Sequence, residues 1–387
     1  MEADVLLVGG GVASARCARA LRRNGFSGSI VLVGDETVPP YNRPPLSKEL
    51  LRGGHPPELL AAEPPGWYER HNVQLVTGVA VTRLEPEERR ATLADGRVMS
   101  FDRCVLATGA APRALPVPGR ERALLLRTLE DAQRLREAAL AAPAGAPVVV
   151  VGGGLIGVEV ASGLAALGLA PTVVELGDVL WGGSMGRLLS AWALERLREA
   201  AVTVRLGAVV TALDTDGGAR IGDERLPGAF VVAGIGVRPR DELAAAAGLE
   251  VAGGVIVDAG QRSSHAAVWA VGDVARAAGR AGEHWHAARE SGERAALSIL
   301  GRPVAPPRAS WIFTEVAGVV VDAFGEAEMG DDERWILDGG AIARMRDHRL
   351  VQLIVIGSAT PAEAARNLVE RGASEADVRA AVGPPFV

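Results

Sequence analysis

The sequence predicts an α/β protein with two Rossmann-like dinucleotide-binding domains and a small C-terminal α+β domain. Three observations carry that prediction. A short apolar strand runs into a glycine-rich turn and an amphipathic helix at 4–25. The same arrangement returns at 148–168 and closes with TVVE at 172–175, so the nucleotide-binding unit is an internal repeat. Beyond the Pro-rich stretch RPVAPPRA at 302–309, apolar and polar residues alternate with the period of antiparallel strands.

Composition sets the outer bounds. A chain of 387 residues exceeds one ordinary core and implies two or three domains. Hydrophobic residues at 48% and charged residues at 23% are ordinary for a water-soluble globular protein. A net charge of −6 gives no electrostatic reason to bind nucleic acid or an anionic membrane. No apolar run approaches a membrane span, and MEAD leads straight into a strand, so neither a span nor a leader is expected and the cytoplasm is the expected compartment. The two cysteines, Cys17 and Cys104, lack CxxC spacing, which argues against a dithiol centre or a metal site.

The first element is DVLLV at 4–8, followed by GGGVAS. Gly9 allows the tight turn and Gly11 lets a pyrophosphate approach the backbone. Val12 and Ala13 open the helix, whose free N–H groups and partial positive charge of about +0.5 favour an anion. Ser14 stands where the strict pattern has a third glycine. The second strand, IVLV at 30–33, ends at Asp35 and Glu36, placed to accept from a ribose.

YNRPPLSK follows at 41–48. Its prolines impose an extended backbone. Ser47 is expected to cap a short helix, KELLR, stopped by Gly53-Gly54. Lys48 then begins that helix, where the dipole disfavours a cation. Either it faces solvent on a stiff loop or the conflict marks a working residue. A β-meander is expected over 73–100, turning at Asp95-Gly96. RCVLATGA at 103–110 and AFVVAGIG at 229–236 echo each other, and put Ala107-Thr108-Gly109 and Gly234-Ile235-Gly236 at strand ends beside the two nucleotide sites.

The second fingerprint, Gly152-x-Gly154-x-x-Gly157, is complete and carries Leu155 and Ile156 inside it. Glu175 ends the next strand; a carboxylate there favours a free 2′-hydroxyl, hence NADH over NADPH. Glu159, just past the fingerprint, is either a solvated first-turn acid or a partner for the nicotinamide or Lys48. Gly272-Asp273 ends a later strand and either caps a helix or closes over the first cofactor. The expected division is 1–111 with 241–303, then 112–240, then 304–387.

YNRPPLSKELL, VLATGAAPRALPVPG, RTLEDA, GGGLIGVEVA, GIGV and AVGDVA occur in one order. Together they resemble the FAD-dependent ferredoxin and rubredoxin reductases of oxygenase and cytochrome P450 systems. The resemblance implies FAD in the first fold and NADH in the second. It implies hydride transfer from NADH to flavin N5, then single-electron delivery to a 2Fe–2S ferredoxin, by a monomer or homodimer. It matches Gly9, Gly11, Ala13, Asp35, Arg43, Lys48, Val81, Arg127, Asp273 and Trp285 to flavin-contacting positions, and Lys48 with Glu159 to an ion pair beside the flavin. Glu283, Ala288 and Gly292 also match.

The departures are local. SWIFTEVAG puts Phe313, Thr314, Glu315 and Val316 where the family has Trp-Ser-Asp-Gln, with Phe313 at the residue that lies against the flavin. Val179 and Gly183 stand where arginines often grip the adenine half of NADH. The expectation is an altered electron acceptor or a weakened NADH site. A flavoenzyme acting on a small molecule, with the Phe313/Val316 side opened, is the alternative; a redox-sensing interaction protein is a third. Disulfide and peroxide reductases need a cysteine near the flavin, and 36–60 contains none.

Overall fold

The computed structural model describes residues 2–54, 60–277, 280–282, 284–357 and 360–382; Glu283 lies outside them. Two compact units form, one from Met1–Arg43, Pro56–Ala111 and Val237–Pro307, the other from Pro44–His55, Pro112–Gly236 and Arg308–Val387. Among the described residues no helix is long and apolar enough to cross a membrane.

In the first unit, β1 (Glu2–Val8) feeds α1 (Val12–Arg23) and then β2 (Ile30–Val33). With β3 (Val73–Val76), β4 (Val81–Glu85), β5 (Arg90–Leu93) and β6 (Val98–Leu106) they form a sheet in the order β3-β2-β1-β6-β5-β4. The β1 side is parallel and the β4–β5–β6 side is antiparallel. The nine-residue β6 serves both: Ser100 pairs with Arg90, while Cys104 pairs in parallel with Val268 of the strand Val268–Ala270. Successive strand residues enter opposite cores. Leu6, Val31, Val33 and Cys104 lie on one face; Val5, Leu7, Ile30, Leu32 and Val105 lie on the other.

Small residues on α1 let the helix Trp285–Ile299 approach its backbone. A Cβ on Gly292 would stand 3.1 Å from Cys17 N and collide with Ala13 O, so this crossing needs glycine.

In the second unit, β7 (Pro147–Val151), α3 (Leu155–Ala166) and β8 (Ala170–Val174) repeat the first motif. Helix α4 (Gly186–Glu199) leads to β9 (Thr203–Arg205), and β10 (Val231–Ala233) follows. The parallel order is β9-β8-β7-β10, with Ala123–Leu124 beyond β10. The short helix α2 (Glu49–Arg52) belongs to this unit. So does an antiparallel sheet of β11 (Trp311–Val316), β12 (Val319–Gly325), β13 (Asp332–Leu337), β14 (Ala341–Arg346) and β15 (Arg349–Ile356), in the order β11-β12-β15-β14-β13.

Residues 361–381 hold two helices, Ala362–Glu370 and Glu375–Ala381. Gly372, at φ 59°, ends the first, and Ser374 with Asp377 forms a capping box on the second.

Candidate active site

In the first unit the glycine turn is built as its spacing implies. Gly9 takes φ 122°, and a Cβ there would run into Ala107 O. Gly11 caps α1, and nothing lies within 4 Å of where its Cβ would be. The strand–turn–helix junction therefore leaves open space at the positive end of α1, which suits the pyrophosphate of a dinucleotide such as FAD. Val12 and Ala13 form the first turn of that helix. Ser14 needs no glycine's freedom: its Oγ donates to Gly9 O at 2.5 Å and ties the turn shut.

The other residues expected on the first cofactor lie in the same unit, apart from Lys48 and Arg127. Asp35 Oδ2 meets Arg240 Nη1 at 2.9 Å, and Thr108 Oγ1 donates to Arg240 O at 2.7 Å. Glu36 accepts from Tyr41 OH at 2.6 Å and from Arg43 Nη2 at 2.9 Å. Ala107 is buried, Gly109 takes φ 70°, and Val81 opens β4 against the core. Gly272 takes φ 70°, and its Cβ would stand 3.1 Å from Ala13 Cβ, so Asp273 sits next to the start of α1. Among the described residues Asp273 is the cap residue of no helix; it lies inside the 3-10 turn Gly272–Val274. Trp285 Nε1 donates to Asn42 Oδ1 at 2.9 Å. Lys48 and Arg127 belong to the second unit, Arg127 just before the helix Leu129–Ala141.

The second fingerprint is tighter. A Cβ on Gly152 would collide with Gly234 O, and one on Gly157 with Gly152 O. Gly154 caps α3, with only Gly234 O as near as 4.0 Å. Leu155 and Ile156 form its first turn, and Ile156 is 40% exposed. Ile235 is half-buried and Gly236 takes φ 94°. Glu175 Oε2 accepts from Gly153 N at 2.5 Å and Oε1 from Gly177 N at 2.7 Å. Each oxygen keeps a further lone pair for a ribose hydroxyl.

Lys48 and Glu159 meet. Lys48 Nζ lies 2.7 Å from Glu159 Oε2, with both side chains buried. Glu159 is therefore no solvated first-turn acid. It accepts from three donors: Lys48, Ser47 Oγ at 2.5 Å on Oε2, and Thr314 Oγ1 at 2.7 Å on Oε1. Lys48 Nζ also donates to Pro44 O at 3.2 Å and stands 5.6 Å from the centre of the Phe313 ring. Ser47 does not cap α2. A 3-10 turn, Pro44–Ser47, comes first, Lys48 takes the cap position, and the freed Ser47 hydroxyl turns to Glu159.

The departures from the family run have definite places. Glu315 pairs with Arg52 of α2 through both carboxylate oxygens. Val316 is fully buried and pairs with Val319 at the β11–β12 turn. Both are buried, so Val316 does not form the opened face that the small-molecule alternative expected. Phe313 alone presents its ring, to Lys48.

Arg289, Arg294, Arg302 and Arg308 are each engaged within their own unit. In the first unit, Arg289 stacks on Trp285, Arg294 donates to Ala259 O, and Arg302 donates to Asn24 Oδ1 at 2.7 Å. In the second, Arg308 is held by Glu363, Asn367 and Glu370.

The comparisons with known proteins agree with this arrangement. The family model described as pyridine nucleotide-disulphide oxidoreductase matches residues 3–292. The ferredoxin–NAD(+) reductase subunit of a benzene 1,2-dioxygenase system from Pseudomonas putida is 34% identical, over 96% of this chain and 93% of its own. The biphenyl dioxygenase ferredoxin–NAD(+) reductase component from Paraburkholderia xenovorans is 36% identical over 84% of this chain and 81% of its own. The crystal structure of the covalent putidaredoxin reductase–putidaredoxin complex superposes with a TM-score of 0.88 at 32% identity, covering 95% of this chain and 93% of that one. A glycine-turn nucleotide fold present twice, with full-length similarity to these reductases, places the chain in the pyridine nucleotide-disulphide oxidoreductase family, on the branch of the ferredoxin–NAD(+) reductases.

Proposed function

We propose that this protein is an FAD-dependent oxidoreductase that carries electrons from NADH to a 2Fe–2S ferredoxin serving an oxygenase or a P450, in the cytoplasm. The observation that carries the reading is the buried Lys48–Glu159 pair, in a chain similar along its length to ferredoxin–NAD(+) reductases. Residues 1–111 and 241–303 would hold FAD, 112–240 would hold NADH, and 304–387 would supply the interface domain.

FAD held there would supply a two-electron hydride acceptor able to release its electrons singly. Around it the chain binds, orients and polarises. Gly11 and the first turn of α1 receive the pyrophosphate; Asp35, Glu36, Arg43, Asp273 and Trp285 hold the remainder. The Glu175 carboxylate selects a free 2′-hydroxyl on the pyridine nucleotide. Lys48 would supply a fixed cation for negative charge developing on the cofactor, and Glu159 fixes the lysine. No side chain is required to move a proton in the hydride step.

Reduction of the flavin by NADH under anaerobic conditions, followed by mixing with oxidised 2Fe–2S ferredoxins, tests this reading. Rapid flavin reoxidation with ferredoxin reduction is expected. A flavin that NADH reduces but no ferredoxin reoxidises would overturn it.

A further inference from the structure

Gly183, which the family resemblance sets where arginines often grip the adenine half of NADH, has a structural cause. The segment after Glu175 passes through three consecutive left-handed residues, Trp181 (φ 58°), Gly182 (φ 59°) and Gly183 (φ 78°), and again at Gly186 (φ 82°). An L side chain at 183 would be strained by that backbone, and its Cβ would stand 3.3 Å from Met329 Sδ. Such a run does not hold its shape alone; something must fix it.

The C-terminal sheet does so. Arg344 on β14 is 1% exposed. Its Nη1 donates to Ser184 O and to Gln352 Oε1, each at 3.0 Å, and its Nη2 to Glu328 O at 2.9 Å. Gln352 on β15 sends its own Nε2 to Ser184 O at 3.3 Å. Glu333 on β13 lies 3.5 Å from Arg344 Nε. Its two oxygens accept from Arg187 N at 3.0 Å and Leu188 N at 2.9 Å, free donors of the first turn of α4. Glu333 thus caps α4 from another part of the chain, with a negative charge at the positive helix end. A Cβ on Gly186 would stand 2.5 Å from Glu333 Oε1, so that glycine too serves the docking.

We propose that Arg344 and Glu333 are positioning residues for NADH, fixing the loop 177–188 from behind in place of arginines that would reach the nucleotide from its front. The inference rests on the second fold being the NADH site. The loop begins at Gly177, whose N–H anchors the Glu175 carboxylate, so its shape sets where that carboxylate points. The sheet's two edge strands then serve the two ends of one reaction: β11 carries Thr314 to Glu159, and β13 carries Glu333 to the nucleotide loop.

The test uses the flavin-loaded protein with NADH and ferricyanide. Glu333→Gln keeps one acceptor and removes the charge; Arg344→Met removes the anchor; Arg344→Lys is the conservative control. KM for NADH is expected to rise roughly 5–10-fold in Glu333→Gln and further in Arg344→Met. The turnover number should stay within about twofold and FAD content should be unchanged, with partial recovery in Arg344→Lys. An unchanged KM in Glu333→Gln, or KM, turnover and flavin content failing together in that variant, would overturn the inference. A wild-type flavin that NADH does not reduce overturns the site reading as well, which separates the two failures.

Discussion

Thr314 Oγ1 donates to Glu159 Oε1 at 2.7 Å, and nothing of either side chain reaches open solvent beyond a few per cent of Glu159. The contact joins β11 to α3 and completes the donor set of the carboxylate that holds Lys48. Thr314→Val keeps the shape and removes the hydroxyl. It leaves one buried carboxylate oxygen without its donor, at a cost of roughly 1–3 kcal/mol in urea unfolding. Ser47→Ala should cost a similar amount, because it strips the other oxygen of its hydroxyl partner. FAD content should hold in both while reduction by NADH slows. Wild-type stability in Thr314→Val would remove the hydroxyl from the account.

The ion pair itself calls for a double-mutant cycle. Lys48→Met leaves a buried carboxylate facing two hydroxyls and no cation, which is expected to destabilise by about 3–5 kcal/mol. Adding Glu159→Gln removes the stranded charge, so the double variant should recover a large part of that loss. Strictly additive effects would show that the two side chains do not act as a unit. Flavin reduction by NADH should remain impaired in the double variant, since the cation is still missing.

Two glycines separate binding from folding. Gly11 has φ −95°, ordinary for any residue, and no protein atom near its Cβ direction. Gly11→Ala should therefore leave the apoprotein as stable as wild type in a thermal melt, while its methyl occupies the space left for a pyrophosphate and flavin content collapses. Gly157→Ala is the converse. Its methyl meets Gly152 O, so α3 must move off β7. Its KM for NADH should rise while FAD stays bound. An alanine at 11 that retains flavin would remove that turn from the binding site.

How much of this was legible depends on distance along the chain. Gly9-x-Gly11 with its strand and helix is a local signal, and the turn formed as read, Ser14 included. Gly372 with Ser374-x-x-Asp377 is equally local: a glycine stop followed by a capping box divides 361–381 into two helices. The Lys48–Glu159 pair came from family resemblance, because no periodicity relates those positions. Ser47 and Thr314 were missed as its donors for the same reason: the hydroxyls reach Glu159 across 112 and 155 residues of sequence. The local cap signal at Ser47 pointed to α2 instead, and tertiary structure overrode it. The opened Phe313/Val316 side of the alternative reading rests on residue identity alone, whereas Glu315 and Val316 are both buried. Their burial follows from β11 pairing with β12, which composition does not encode.

The two thiols supply an alkaline prediction with a definite sign. Cys17 on α1 and Cys104 on β6 are both fully buried in apolar surroundings. Burial raises the Cys17 pKa from the ordinary 9.0 to about 12, and the Cys104 thiol is pushed up as well. The folded protein should therefore resist iodoacetamide at about pH 8 and label at both positions only after denaturation. Above about pH 9 the unfolded chain releases thiol protons that the native protein keeps, so the native state binds more protons and stability falls as pH rises. The stabilisation is complete below pH 9.0 and is lost as pH climbs through about 12. Cys17→Ala removes one such proton, and its unfolding free energy in urea should decline less steeply over pH 9–11 than that of the wild type, by up to about 1.4 kcal/mol per pH unit. Equal slopes for the two proteins, or native-state labelling at the rate of the denatured chain, would show that these thiols are not held in the core.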